Sequence, residues 1–391
     1  MTIEPATKGR LSKLSPEGTM LLRDYMREIE PTDKLPQDNL NPVLMGLFGE
    51  VGSIMATTKK YTREDEAYAG YQQAVEEEFG DALWYFTTLC RRLGIGVDSI
   101  FSNVSNQDKY SKCIAASDLP DGPVSHISSV SQLPTLDETL LNLGEAMTAL
   151  LGINDLNEKT HDLLSTFSDH YLQALQAARV SFSKIARLNI EKTRGRFLDP
   201  DISTLPTFDS DFPDEESLPQ HFEIKITQRK SGQSYMQWNG VFIGAPLTDS
   251  ILDPDGYRFH DVFHFAHAAI LHWSPTFRSL IKQKRKSDPR YDEAQDGGRA
   301  IVVEEGLTAW IFSCAKHLNF FEDHDSISFD LLKTVKQFVQ GYEVENCPLK
   351  LWEMAILKGY EVFRQVRKNN GGIVVGDRNA RTIEYKLIDG E

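Results

Sequence analysis

Cysteine is scarce in this chain. Its four residues, Cys90, Cys113, Cys314 and Cys347, lie far apart and form no CxxC pair, which excludes a zinc knuckle or a disulfide framework. Positive charge is also short: 42 Lys and Arg against 57 Asp and Glu leave a formal charge of −15. That balance disfavours nucleic acid and anionic membrane as general partners. No apolar run reaches the length of a bilayer span, and the opening stretch MTIEPATKGRLSKLSPEG lacks the apolar core of a signal peptide. The expectation is a soluble, cytoplasmic protein with no membrane partner. Tandem repeats of fixed period are absent too.

What is present points to a folded chain. A hydrophobic fraction of 40% with 10% aromatics suits a globular protein, and 391 residues suffice for two ordinary domains. The clearest break is LDPDISTLPTFDSDFPDEESLPQHF, rich in Pro, Asp and Ser. It divides the chain into a helical part, 1–198, an acidic linker, 199–221, and a second part, 222–391. A second loose stretch covers Ser117 to Thr135.

Before the linker the periods are helical. Leu44, Leu47, Phe48, Val51 and Met55 mark one amphipathic helix; Phe79, Leu83, Phe86, Cys90 and Leu93 mark another. Further helices are predicted from Leu136 to Leu151 and, as one long element, from about Glu158 to Phe197. An all-α bundle is their natural packing. After the linker, His221 to Gly244 alternates and turns at Ser231-Gly232 and Asn239-Gly240, which predicts short antiparallel strands. Helical patterns return over Tyr257–His272, Ala300–Asn319, Ser328–Gln340 and Leu349–Asn369, and the tail reads as a hairpin. The fold class is therefore mainly α: a helical bundle followed by a mainly helical α+β domain.

Two helices of the first part carry acidic residues beside their apolar stripes. Glu50 and Ser53 are one turn apart on one, and Glu78 and Asp81 on the other, within EEEFGD. If the stripes pack together, these carboxylates converge, and clustered carboxylates repel unless a cation neutralises them. Oxygen ligands without Cys or His select Mg²⁺ or Mn²⁺. The segment NIEKTRGRF places Asn189, Lys192 and Arg196 at i, i+3 and i+7, an amide and two cations suited to phosphate oxygens. Tyr85 shares a face with Glu78 and Asp81 and would border a nucleotide; Glu76 lies further round the helix.

LFGEVGSIMATTKK, EEEFGDALWYF and NIEKTRGRF, in that order, resemble the MazG-like nucleoside triphosphate pyrophosphohydrolases of the all-α pyrophosphatase superfamily. The resemblance implies Mg²⁺-dependent hydrolysis of a nucleoside or deoxynucleoside triphosphate to monophosphate and pyrophosphate, a role in nucleotide metabolism. It implies Glu50, Glu78 and Asp81 as metal ligands, and Asn189, Lys192 and Arg196 as the group holding the metal–triphosphate. Lys192 and Arg196 would also stabilise developing charge, and Glu77 is a candidate to orient the attacking water. Such bundles generally pair, so a homodimer or higher homo-oligomer is expected. Two positions depart from the family's pattern: Gly49 and Ser53 stand where it has glutamates.

The second half resembles the domain fused C-terminally to MazG domains, carried by NGVFIGAPLTDSILDPDGYRFHDVFHFAHAAILHWSP and KRKSDPRYDEAQDGGRAIVVEEGLTAWIFSCA. Within HDVFH, His260 and His264 stand at i, i+4, the spacing at which two imidazoles share a metal. Asp261 takes the place of the glutamate base of a zincin helix, and Glu304 or Glu305 could add a carboxylate. These five residues are second-site candidates; packed, hydrogen-bonded core histidines are the alternative. The basic run RSLIKQKRKSDPR reads as a solvated face or a phosphate patch. Two rival functions follow: a degenerate nucleotide sensor that regulates the C-terminal domain, for example in phage defence, and a metallohydrolase working through the HDxxH helix.

Overall fold

Three helices of the first unit start at residues whose side chains cap them. Thr135 and Glu138 form a reciprocal capping box, with Thr135 Oγ1 accepting from the Glu138 amide and Glu138 from the Thr135 amide. Asn157 and Ser181 cap the next two helices by accepting from the amides of Thr160 and Lys184. The computed structural model describes residues 22–105, 134–153 and 157–388. They fall into two compact units, Met1–Leu198 and Asp199–Glu391. Most of the loose stretch expected at Ser117–Thr135 lies outside the described residues.

In the first unit the described helices are α1 (Leu22–Ile29), α2 (Asn41–Glu64), α3 (Tyr71–Arg92), α4 (Val97–Ser105), α5 (Leu136–Leu150), α6 (Glu158–Ala177) and α7 (Phe182–Phe197). Helices α2 and α3 form an antiparallel hairpin. Tyr61 stacks on Tyr71 at one end, and Gly46 meets Tyr85 at the other, where any side chain at position 46 would collide with the ring. Leu44, Leu47 and Val51 are buried as their period requires, but Phe48 is 49% exposed. The single long helix expected to end at Phe197 is two helices. The chain turns between them with Arg179 at φ +56°, and Ser181 restarts it.

The second unit is built on one antiparallel sheet, order β3-β2-β1-β4-β5, from β1 (His221–Gln228), β2 (Ser234–Trp238), β3 (Val241–Leu247), β4 (Gly371–Asp377) and β5 (Thr382–Lys386). Phe222, Ile224 and Ile226 of β1 alternate inward. The tail hairpin does not stand apart, because β4 pairs with β1 along its length, Ile224 opposite Val374. The helices are α8 (Asp261–Ala266), extended by a π-helical turn (His267–Leu271), α9 (Pro275–Ile281), α10 (Pro289–Ala294), α11 (Gly298–Lys316), α12 (Phe329–Phe338) and α13 (Leu349–Asn369). The chain is thus mainly α with one small sheet. None of the described helices is long and apolar enough to cross a membrane.

The acidic stretch 199–221 is not a detached linker. It belongs to the second unit, because Asp209 is buried there and accepts from Arg278 Nη2 and Arg378 Nη2, each at 2.7 Å, and from the Leu218 amide at 2.8 Å. The basic run is likewise only partly a surface. Arg278 and Arg285 are interior residues, and Arg285 forks onto Asp296 at 2.7 Å and Glu343 at 2.6 Å. Two of its six cations are therefore spent inside the fold.

Candidate functional site

Three helices of the first unit build the acidic site. Helix α2 brings Glu50 and α3 brings Glu78 and Asp81, whose carboxylates offer oxygens within 4.8 Å of one another. Close contact between α3 and α7 is possible because residue 80 is glycine: a Cβ there would lie 3.2 Å from Cβ of Asn189. Asn189 Nδ2 then donates to Asp81 Oδ1 at 3.1 Å. Lys192 Nζ donates to Asp81 Oδ2 at 2.5 Å and Glu77 Oε1 at 2.8 Å.

The structure thus brings Glu50, Glu78, Asp81, Asn189, Lys192 and Glu77 together. Arg196 lies one turn beyond Lys192, its guanidinium 5.4 Å from the Phe197 ring. Tyr85 is half-buried, and burial together with Glu50 and Asp81 raises its hydroxyl pKa. Ser53 is half-buried and Gly49 exposed. Glu76 is no peripheral residue: it is buried and accepts from Lys184 Nζ at 2.7 Å and Gln72 Nε2 at 2.9 Å. One participant was not visible in the sequence. Tyr25 of α1 donates to Asn189 Oδ1 at 2.9 Å, orienting the amide so that its NH₂ faces Asp81.

The electrostatics record the crowding. Burial, then the charges of Asp81 and Glu78, push the Glu50 carboxyl up to about 8. Burial works against the Lys192 charge, but Asp81 and Glu77 outweigh it and raise its pKa. A hard divalent cation fits this donor set, since all three carboxylates supply oxygens and each is destabilised by the others.

The second unit holds a different cluster. Glu304 of α11 is fully buried and accepts from His267 Nδ1 at 2.9 Å, Ser274 Oγ at 3.1 Å and the Thr276 amide at 2.9 Å. His264 Nδ1 lies 3.1 Å from Glu304 Oε1, and His260, Asp261 and His264 offer ligand atoms within 4.8 Å of one another. Glu305 Oε2 is 3.4 Å from Nε2 of both His260 and His264. Burial alone would raise Glu304, yet His264 and His267 hold it at about 2. All five candidates are therefore drawn together, joined by His267, Ser274 and Thr276.

Residues 203–389 match the family model of the MazG C-terminal domain. The match supports a MazG-related protein, and it begins within the acidic stretch rather than after it, in accord with the burial of Asp209. No curated protein and no solved structure matches the chain. The MazG relation suggests a nucleotide-related function.

Proposed function

We propose that the first unit hydrolyses a nucleoside triphosphate to the monophosphate and pyrophosphate in a Mg²⁺- or Mn²⁺-dependent reaction. The observation that carries this reading is the convergence of Glu50, Glu78 and Asp81 from two helices beneath Asn189 and Lys192 of a third, in the order that the MazG resemblance implies.

Glu50, Glu78 and Asp81 would hold the ion, which supplies neutralisation of the triphosphate and acidification of water. Asn189 and Lys192 fix the orientation of Asp81, and Tyr25 fixes Asn189. With substrate bound, Lys192 is positioned to exchange a carboxylate for a phosphate oxygen, and Arg196, a turn away, to grip another. Glu77, released from Lys192, can orient water. Tyr85 walls the site where α2 and α3 meet.

The test is a panel of ribo- and deoxyribonucleotides incubated with Mg²⁺ or Mn²⁺, products separated by chromatography. Monophosphate and pyrophosphate should appear from at least one nucleotide and vanish with chelator; full turnover by metal-stripped protein would falsify the mechanism. The sensor reading is favoured by the same geometry in one respect. Lys192 already neutralises Asp81 and Glu77, while Gly49 and Ser53 supply no carboxylate. Tight nucleotide binding without product across the panel would establish that alternative.

A further inference from the structure

We propose that the second unit is a metalloprotein module: His260, His264 and Glu305 hold one divalent ion of zinc-like character, independently of the chemistry of the first unit. The ligand atoms are Nε2 of His260, Nε2 of His264 and Oε2 of Glu305. Each imidazole nitrogen stands 3.4 Å from the carboxylate oxygen. That is long for an N–H···O bond, which spans about 2.7–3.2 Å. It matches the separation of about 3.3 Å between two ligands on a tetrahedral ion with bonds of about 2.0 Å.

The tautomers agree with this assignment. His260 Nδ1 is 2.9 Å from the carbonyl oxygen of Tyr257. A carbonyl can only accept, so Nδ1 carries the proton and the lone pair is left on Nε2. Tyr257 also stacks on the His260 ring, centroids 4.4 Å apart and planes 5° from parallel, which fixes the ring plane. His264 turns Nδ1 toward Glu304 Oε1 at 3.1 Å, the carboxylate–histidine relation that orients imidazole ligands in metal sites. Glu304 is in turn anchored by His267, Ser274 and the Thr276 amide.

An independent observation points the same way. His264 is completely buried, yet its Nε2 makes no hydrogen bond among the described residues, with Glu305 Oε2 3.4 Å away. Buried polar groups are nearly always satisfied, and an ion at Nε2 would satisfy this one. Two imidazoles and a carboxylate suit Zn²⁺ and similar borderline ions, not Mg²⁺. Glu305 is the exposed member, with 38% of its side chain open to solvent. The ion would therefore face water on that side, with a coordination position left for an exchangeable ligand, as in catalytic zinc sites.

The experiment uses the untagged full-length chain. Metal content is measured after gel filtration, and stripped protein is then titrated with Zn²⁺ alone and with Co²⁺ alone. Expected are one tightly held ion per chain, visible d–d bands of nitrogen-ligated Co²⁺, and a higher thermal midpoint with Zn²⁺. His260→Asn and Glu305→Gln should each weaken Zn²⁺ binding by more than about a hundredfold, and Ser274→Ala, which acts only through Glu304, by about tenfold. Glu50→Gln with Asp81→Asn should leave the ion in place, separating this site from the acidic one. Wild-type protein that binds no stoichiometric Zn²⁺ and gives no nitrogen-ligated Co²⁺ spectrum would overturn the proposal. So would a His260→Asn/Glu305→Gln double variant that binds Zn²⁺ as tightly as wild type.

Discussion

The two units handle crowded charge in opposite ways. In the first, carboxylates gather at a half-buried rim, all donors are oxygens, and the balancing cation is a flexible lysine, Lys192, with about a fifth of its side chain exposed. In the second, charges go inside: Asp209 is clamped between Arg278 and Arg378, Arg285 between Asp296 and Glu343, and Glu304 among three donors. A rim of oxygens suits a hard ion that arrives with its substrate and leaves with product. An interior in which every orienting group is itself oriented suits a resident ion, or none that exchanges quickly. Loss of a clamped interior charge should therefore destabilise the second unit, whereas loss of a rim carboxylate should merely disable the first.

That contrast can be broken at several points. The largest effect is expected from Asp209→Ala, which leaves two guanidinium groups facing each other in the interior. Stability should fall by about 3–5 kcal/mol. Urea unfolding followed by tryptophan fluorescence checks this, since Trp238, Trp273, Trp310 and Trp352 all lie in the second unit.

Next comes pH. Burial and the neighbouring Arg378 and Arg381 depress His272 from 6.5 to about 4, and its Nε2 donates to the Arg378 carbonyl oxygen at 2.8 Å. Because the folded-state value lies below the unfolded one, the stabilisation is complete above about pH 6.5 and drains away as pH falls from there toward 4, by roughly 3 kcal/mol. His272 sits at φ +60°, so His272→Asn, which tolerates that backbone, should flatten the pH dependence of the urea midpoint over this window. An unchanged slope would remove His272 from the account.

Asp81→Asn tests the other side of the contrast. Pyrophosphate release should drop about a hundredfold or more, since the position of the reacting phosphate depends on it. The thermal midpoint should move little, because losing the Asp81 charge also relieves its repulsion of Glu50, and Lys192 keeps Glu77 as a partner. A destabilisation as large as that of Asp209→Ala would show that the acidic rim is structural after all. Smallest is Ser53→Glu, which adds a carboxylate one turn from Glu50: half-maximal activity should need several-fold less Mg²⁺, about what one added oxygen ligand to a partly hydrated ion provides. A rate curve superposable on wild type would place Ser53 outside the ion's reach.

Local patterns were legible and distant pairings were not. Glu50, Glu78 and Asp81 could be read because each lies one helical turn from a stripe whose period is local, and two helices joined by a short turn must pack as a hairpin. Tyr25 could not, since its partner Asn189 is 164 residues away and nothing in LRDYMREI marks a tyrosine that donates to an amide. The break before Ser181 was hidden for another reason: Arg179 takes positive φ without the glycine that usually announces it. The acidic stretch reads as linker by composition, and only Arg278 and Arg378, far along the chain, turn Asp209 into a core residue. The same blindness misread Arg278 and Arg285, whose partners Asp209, Asp296 and Glu343 are not their sequence neighbours. In the second unit the i, i+4 histidines were visible, but the support of Glu304 by Ser274 and Thr276 was not.

The pairing of β1 with β4 has a consequence for how the protein is made. Asp209 must wait for Arg378, 169 residues later, and at ribosomal rates of about 5–20 residues per second that wait is roughly ten to thirty seconds. Throughout it, Asp209 has at most Arg278 as its charged partner, and the strand His221–Gln228 has β2 on one side but not yet β4 on the other. The first unit, by contrast, has all its described helices by Phe197 and can settle early. The nascent chain therefore passes through an interval in which its acidic site is assembled while the rest is still a sticky, half-paired sheet, the interval in which chaperones and proteases would meet it.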